Sequence, residues 1–104
     1  MKPTIEAIKS TVLSVFPDAE RIVLFGSRAA GSHREDSDYD LLIVVATPLR
    51  PARRGAIVRL ALRKFEASFD IMVFTPEEFR QQARMKSSAV YSAISGGRVL
   101  HEVA

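Results

Sequence analysis

Apolar residues recur at Ile5, Ile8, Val12 and Val15 or Phe16, with Ala7 and Leu13 widening the stripe. This helical spacing predicts an amphipathic helix over residues 2–16. Thr4 or Pro3 offers its start, and Pro17-Asp18 its stop. The pattern then changes. Ile22, Val23, Leu24 and Phe25 leave no polar face, which predicts a short strand over 21–25 buried on both sides, ended by Gly26. Residues 28–30 suit a single helical turn before Gly31. A second unbroken apolar run, Leu41 to Val45, predicts a central strand over 39–46 covered by helices on both faces.

Thr47, Pro48 and Pro51 then predict a loop, and residues 52–67 a helix. Its expected inner side is Ile57, Leu60, Ala61, Lys64 and Phe65, with Val58 and Leu62 extending it. Arg53, Arg54, Arg59 and Arg63 fall largely elsewhere and read as a solvated face. FDIMVF, residues 69–74, is a third strand. Thr75-Pro76-Glu77-Glu78 places an N-cap Thr, a Pro at the first helical position and a Glu at the third, so a helix starts there and runs towards Ala83. Residues 87–94 suggest another helix, ended by Gly96-Gly97. Residues 98–103 suggest a terminal strand or tail. Alternating helices and strands define an α/β (α+β) class, with a small mixed sheet flanked by helices. Phe74, Phe79 and Tyr91 are expected in the core rather than at an interface.

Composition adds limits. The 104 residues suit one small domain spanning 1–104. A hydrophobic fraction of 47% and a charged fraction of 26% are those of a soluble globular chain. There is no cysteine, which removes disulfides and thiolate metal sites. No apolar run is long enough to cross a bilayer, and the N-terminus lacks a signal-peptide pattern, so a cytoplasmic protein without membrane association is expected. Fifteen Lys and Arg against twelve Asp and Glu leave a charge of +3. That excess favours anionic partners but identifies none, and direct nucleic-acid binding is not expected.

The candidate chemistry lies in RIVLFGSRAAGSHREDSDYDLLIVVA, residues 21–46. With a side-chain period of two, Asp38 and Asp40 share a face, where they repel unless something positive lies between them. Asp70 stands near the start of the third strand. Three hard oxygen donors on adjacent strands are what Mg²⁺ takes, with water and substrate phosphates completing the shell. Gly26-Ser27 offers permissive backbone and a hydroxyl where a phosphate approaches. Singly, each feature is also what an ordinary turn or strand edge shows; jointly they specify a nucleotide and its metals.

Gly26-Ser27, ten residues, then Asp38-x-Asp40 resembles the signature of the polymerase-β-type nucleotidyltransferases. GSRAAGSHREDSDYDLLI is especially similar to that of the minimal nucleotidyltransferases. The resemblance extends over nearly the whole chain, through SFDIMVF, TPEEF and GRVLHE. It implies two Mg²⁺ ions held by Asp38 and Asp40, and Asp70 on the catalytic ion, assisting deprotonation of the attacking hydroxyl. Gly26 and Ser27 would hold the triphosphate of ATP, with Arg28 close enough to contact it. Arg34 is near as well, though an arginine or His33 on a polar loop is ordinarily solvated. Ala30 departs from the larger or basic residue many relatives carry there.

The small members of this family often act with a HEPN toxin. The resemblance therefore implies an antitoxin that transfers AMP to a toxin tyrosine. Two other readings stand beside it: a module that neutralises a partner by docking alone, and a small-molecule transferase of the aminoglycoside type, whose members are usually longer.

Overall fold

A computed structural model describes residues 1–103; the expected boundary at residue 104 lies outside the described residues. In chain order the elements are α1 (Ile5–Val15), β1 (Arg21–Phe25), α2 (Ser27–Ala30), β2 (Tyr39–Val44), α3 (Pro51–Leu62), β3 (Phe69–Phe74), α4 (Pro76–Ala83), α5 (Ala89–Gly96) and β4 (Arg98–Glu102). The strands form one sheet in the order β3-β2-β1-β4. β1 pairs antiparallel with β2 and β4, and β2 pairs parallel with β3. The parallel pair needs a crossover, which α3 supplies. The mixed sheet expected from the alternating pattern is present, and β1 and β2 are its inner strands.

Each fully apolar strand serves two cores. Ile22, Leu24, Leu41, Ile43, Ile71 and Val73 face Ile8 and Val12 of α1 and Val58 and Leu62 of α3. On the other face Val23 and Leu42 meet Val90 and Ala93 of α5, with Phe25, Met72, Phe74 and Phe79 packed around them. This second core is the smaller, and it stops short of the end of the sheet where β2 and β3 begin.

Local signals set the boundaries. Thr4 caps α1, its hydroxyl accepting from the Ala7 amide at 3.1 Å, so the helix begins at Ile5 rather than Lys2. Thr75 and Glu78 form the expected reciprocal capping box at α4. α5 begins after Ser88, whose hydroxyl accepts from the Tyr91 amide.

α3 departs most from expectation. It ends at Leu62, and it buries Arg54, Gly55, Val58 and Leu62 while Leu60 is left 63% exposed. Phe65 is buried from the turn that follows rather than from the helix. Arg54 does not join a solvated face. Its guanidinium donates to the carbonyls of Leu49 (2.8 Å) and Val73 (3.4 Å) and to Glu78 Oε1 (2.7 Å). It thereby covers part of the outer edge of β3, where an unpaired carbonyl would otherwise face a partner strand. No helix among the described residues is long and apolar enough to cross a membrane.

Candidate active site

The uncovered end of the sheet carries the three aspartates. Asp40 is the second residue of β2 and Asp70 the second of β3, and the parallel register sets them side by side. Their side chains leave the sheet on the face of Leu42 and Met72, opposite Tyr39 and Leu41. Asp38 immediately precedes β2 rather than lying within it.

Gly26 follows β1, whose last residue, Phe25, pairs with Asp40. At φ +72° and ψ −157° it occupies backbone space reserved for glycine. It is also the place of closest approach. A Cβ on Gly26 would collide with Asp40 Oδ2 and lie 3.1 Å from Asp40 Cγ. The Gly-Ser turn and the carboxylate are thus in direct contact. Ser27 opens the one-turn α2, whose Ala29 and Ala30 amides bond back to the Gly26 carbonyl. Ser27 is half-buried and directly follows Gly26 in the chain.

The three carboxylates lie at this end of the sheet without counter-charge among the described residues. Among the described residues, Asp38, Asp40 and Asp70 form no ion pair and accept no side-chain hydrogen bond. Partial burial raises the Asp40 pKa above the ordinary carboxylate value, and the charges of Asp70 and then Asp38 raise it further. Among the described residues no three acidic or His side chains are gathered tightly enough to close around a metal ion. The donor set itself fits a hard divalent cation: oxygen ligands only, on rigid strands, with no protein cation already neutralising them.

Arg28 does not turn to this face. Its Nε and Nη2 donate to the Ser37 carbonyl at 3.2 and 2.9 Å, and Nη2 donates to the Glu35 carbonyl at 2.9 Å. The guanidinium also lies 4.3 Å from the centre of the Tyr39 ring. His33 and Arg34 sit on the exposed loop between α2 and β2. A cleft of about 440 Å³, lined by Lys2, Arg28, Glu35, Tyr39 and Glu66 among others, is not lined by any of the three aspartates. The candidate site is therefore the open sheet end and not an enclosed cavity.

The sequence reading missed the aromatic layer behind the carboxylates, in which Tyr39 stacks on Phe69 at 5.5 Å. Its signal was available: an aromatic residue directly precedes both Asp40 and Asp70.

Comparison with known proteins places this geometry among relatives. Residues 6–95 match the family model described as "Polymerase beta, Nucleotidyltransferase". A Methanocaldococcus jannaschii protein named "Putative protein adenylyltransferase" is 31% identical over 70 residues, covering 66% of this chain and 70% of that one. The solved structure of a toxin–antitoxin complex with AMP-PNP superposes with a TM-score of 0.66 at 20% identity, over 97% of this chain and 75% of its own. A structure of the tri-AMPylated Shewanella oneidensis HEPN toxin with its MNT antitoxin gives 0.56 at 16% identity, over 95% of this chain and 70% of its own. At these identities the two structural likenesses are of fold.

Proposed function

Because the chain belongs to the polymerase-β-type nucleotidyltransferase family, we propose that it transfers AMP from ATP to a tyrosine hydroxyl of a HEPN-type toxin and so acts as its antitoxin. The observation that carries the enzymatic part is the contact of the Asp40 carboxylate with Gly26, beside two further carboxylates that have no counter-charge. A triphosphate on the Gly26-Ser27 turn would lie next to those aspartates. The protein-acceptor part is supported by the adenylyltransferase name of the M. jannaschii relative and by the toxin–antitoxin neighbours, one with an ATP analogue and one with an AMPylated toxin.

Asp38, Asp40 and Asp70 would hold two Mg²⁺ ions, Asp38 and Asp40 shared between both and Asp70 on the catalytic one. When bound, these ions supply charge neutralisation for the phosphates and for the attacking and leaving oxygens. The chain's own residues do the rest by positioning. Gly26 brings backbone close to the triphosphate because it has no side chain there. The Ser27 hydroxyl donates to a phosphate oxygen. Asp70, at the exposed side of the site, assists removal of the proton from the acceptor hydroxyl. That oxygen bonds to the α-phosphorus as the bond from it to the β-phosphate bridging oxygen breaks, and pyrophosphate departs.

Substituting Asp38 and Asp40 by Asn separates catalysis from docking. The proposal expects the double variant to bind the toxin yet neither modify nor silence it. Full neutralisation by a variant that transfers no nucleotide would make docking the mechanism.

A further inference from the structure

Arg28 has the sequence position of a phosphate ligand and the structural position of something else. Its guanidinium grips the chain on both sides of Asp38. Two hydrogen bonds reach the Ser37 carbonyl, just before it. The Tyr39 ring, just after it, lies under the guanidinium at 4.3 Å. A further bond to the Glu35 carbonyl ties back the preceding loop. That loop needs tying: residues 31–36 are all exposed, and they include no helix or strand. Within it the Arg34 amide donates to the Ser37 hydroxyl at 2.8 Å, and the Lys2–Glu35 pair joins two exposed side chains, a kind of pair that contributes little.

The grip continues through the sheet. Tyr39 stacks on Phe69, and Phe69 meets Phe65 in a tilted pair, ring centres 6.5 Å apart. Tyr39 and Phe69 directly precede Asp40 and Asp70, and side chains alternate along a strand. The stack therefore backs the same two backbone positions whose next residues present carboxylates on the opposite face.

We propose that Arg28 is a positioning residue, clamping Ser37 and Tyr39 so that Asp38 is held beside Asp40 and Asp70 against their mutual repulsion. This rests on the reading of the aspartates as metal ligands. A planar fork that donates in parallel and stacks on a ring is not replaceable by an ammonium, so charge alone does not fill the role. A phosphate contact, by contrast, needs mainly the charge.

The test uses Mn²⁺ as the probe, titrated into the purified protein and followed by calorimetry or by the electron paramagnetic resonance of free Mn²⁺. Arg28→Gln and Arg28→Lys should each weaken Mn²⁺ binding by about tenfold or more, in the range seen when groups behind metal ligands are removed. Tyr39→Leu, which keeps the cation, should weaken it in the same direction. Kinetically, kcat should fall with KM for the Mg²⁺–nucleotide little changed at saturating metal. Unchanged Mn²⁺ affinity in Arg28→Gln with a raised nucleotide KM, rescued by Arg28→Lys, overturns the proposal. Should Arg28→Gln fail to fold by circular dichroism, Arg28→Lys and Tyr39→Leu decide, and wild-type Mn²⁺ affinity in both overturns it. Asp38→Asn is the separate control: if it binds Mn²⁺ as the wild type does, the metal-ligand reading fails, whatever Arg28 does.

Discussion

Asp40 is where the requirements of folding and of chemistry oppose each other. Folding half-buries it beside Asp70 and near Asp38 and raises its pKa. In the metal-free protein the folded state thus binds the Asp40 proton more tightly than the unfolded chain does. The destabilisation is in force above the raised value and is relieved as the pH falls through it towards the ordinary Asp value of about 3.9. Asp40→Asn should stabilise the metal-free protein at neutral pH by a few tenths to about 1 kcal/mol, the scale of a like-charge cross-strand pair. The gain should vanish on acidification through that window, read as the difference between urea unfolding curves of the two proteins across pH. Metal affinity should fall over the same window. Gly26→Ala acts on the same contact from the other side. It forces a side chain into glycine-only backbone space, at a cost of about 1–3 kcal/mol, and drives the Asp40 carboxylate out of place. Nucleotide transfer should be lost in this variant even where circular dichroism shows it folded.

Elements were legible where punctuation and pattern agree. Arg21–Phe25 and Phe69–Phe74 have the expected bounds because Gly26 and Thr75-Pro76 end unbroken apolar runs. α4 starts where its capping box is written. Thr75→Ala should cost about 1 kcal/mol and lower the Tm by roughly 4 °C or more. The Thr75 amide, and then Arg54, lower the Glu78 pKa. Its contribution is therefore present above the ordinary Glu range and is lost as the pH falls through the depressed value. α3 was less legible because apolar residues lie on both of its sides, so periodicity did not select Val58 and Leu62 over Leu60. The burial of Arg54 depends on Val73 and Glu78, which only the tertiary fold brings to it. Arg54→Ala should be costlier than Thr75→Ala, about 1–3 kcal/mol, because it leaves carbonyls without their donor. Of the candidate site, the residue types of the aspartates and the Gly-Ser turn could be read from the sequence, and the fold sets Asp40 beside Asp70 and against Gly26. The orientation of Arg28 could not be read there, since it depends on carbonyls seven and nine residues away across a loop.

At the scale of the molecule, a four-stranded sheet with a large core on one face and a small one on the other leaves one strand end open. Three unneutralised carboxylates stand there. Metal should therefore stabilise the whole fold. At Mg²⁺ about 100-fold above its Kd the gain is about 2.7 kcal/mol, visible as a rise of several degrees in Tm that Asp38→Asn and Asp40→Asn abolish. The most direct test of the central claim is intact-mass and peptide mass spectrometry of a purified HEPN toxin partner incubated with this protein, Mg²⁺ and ATP. The account predicts added AMP on a toxin tyrosine with the wild type, and none with the Asp38→Asn, Asp40→Asn protein. An unmodified toxin with the wild type, or AMP added equally by the double variant, would contradict it.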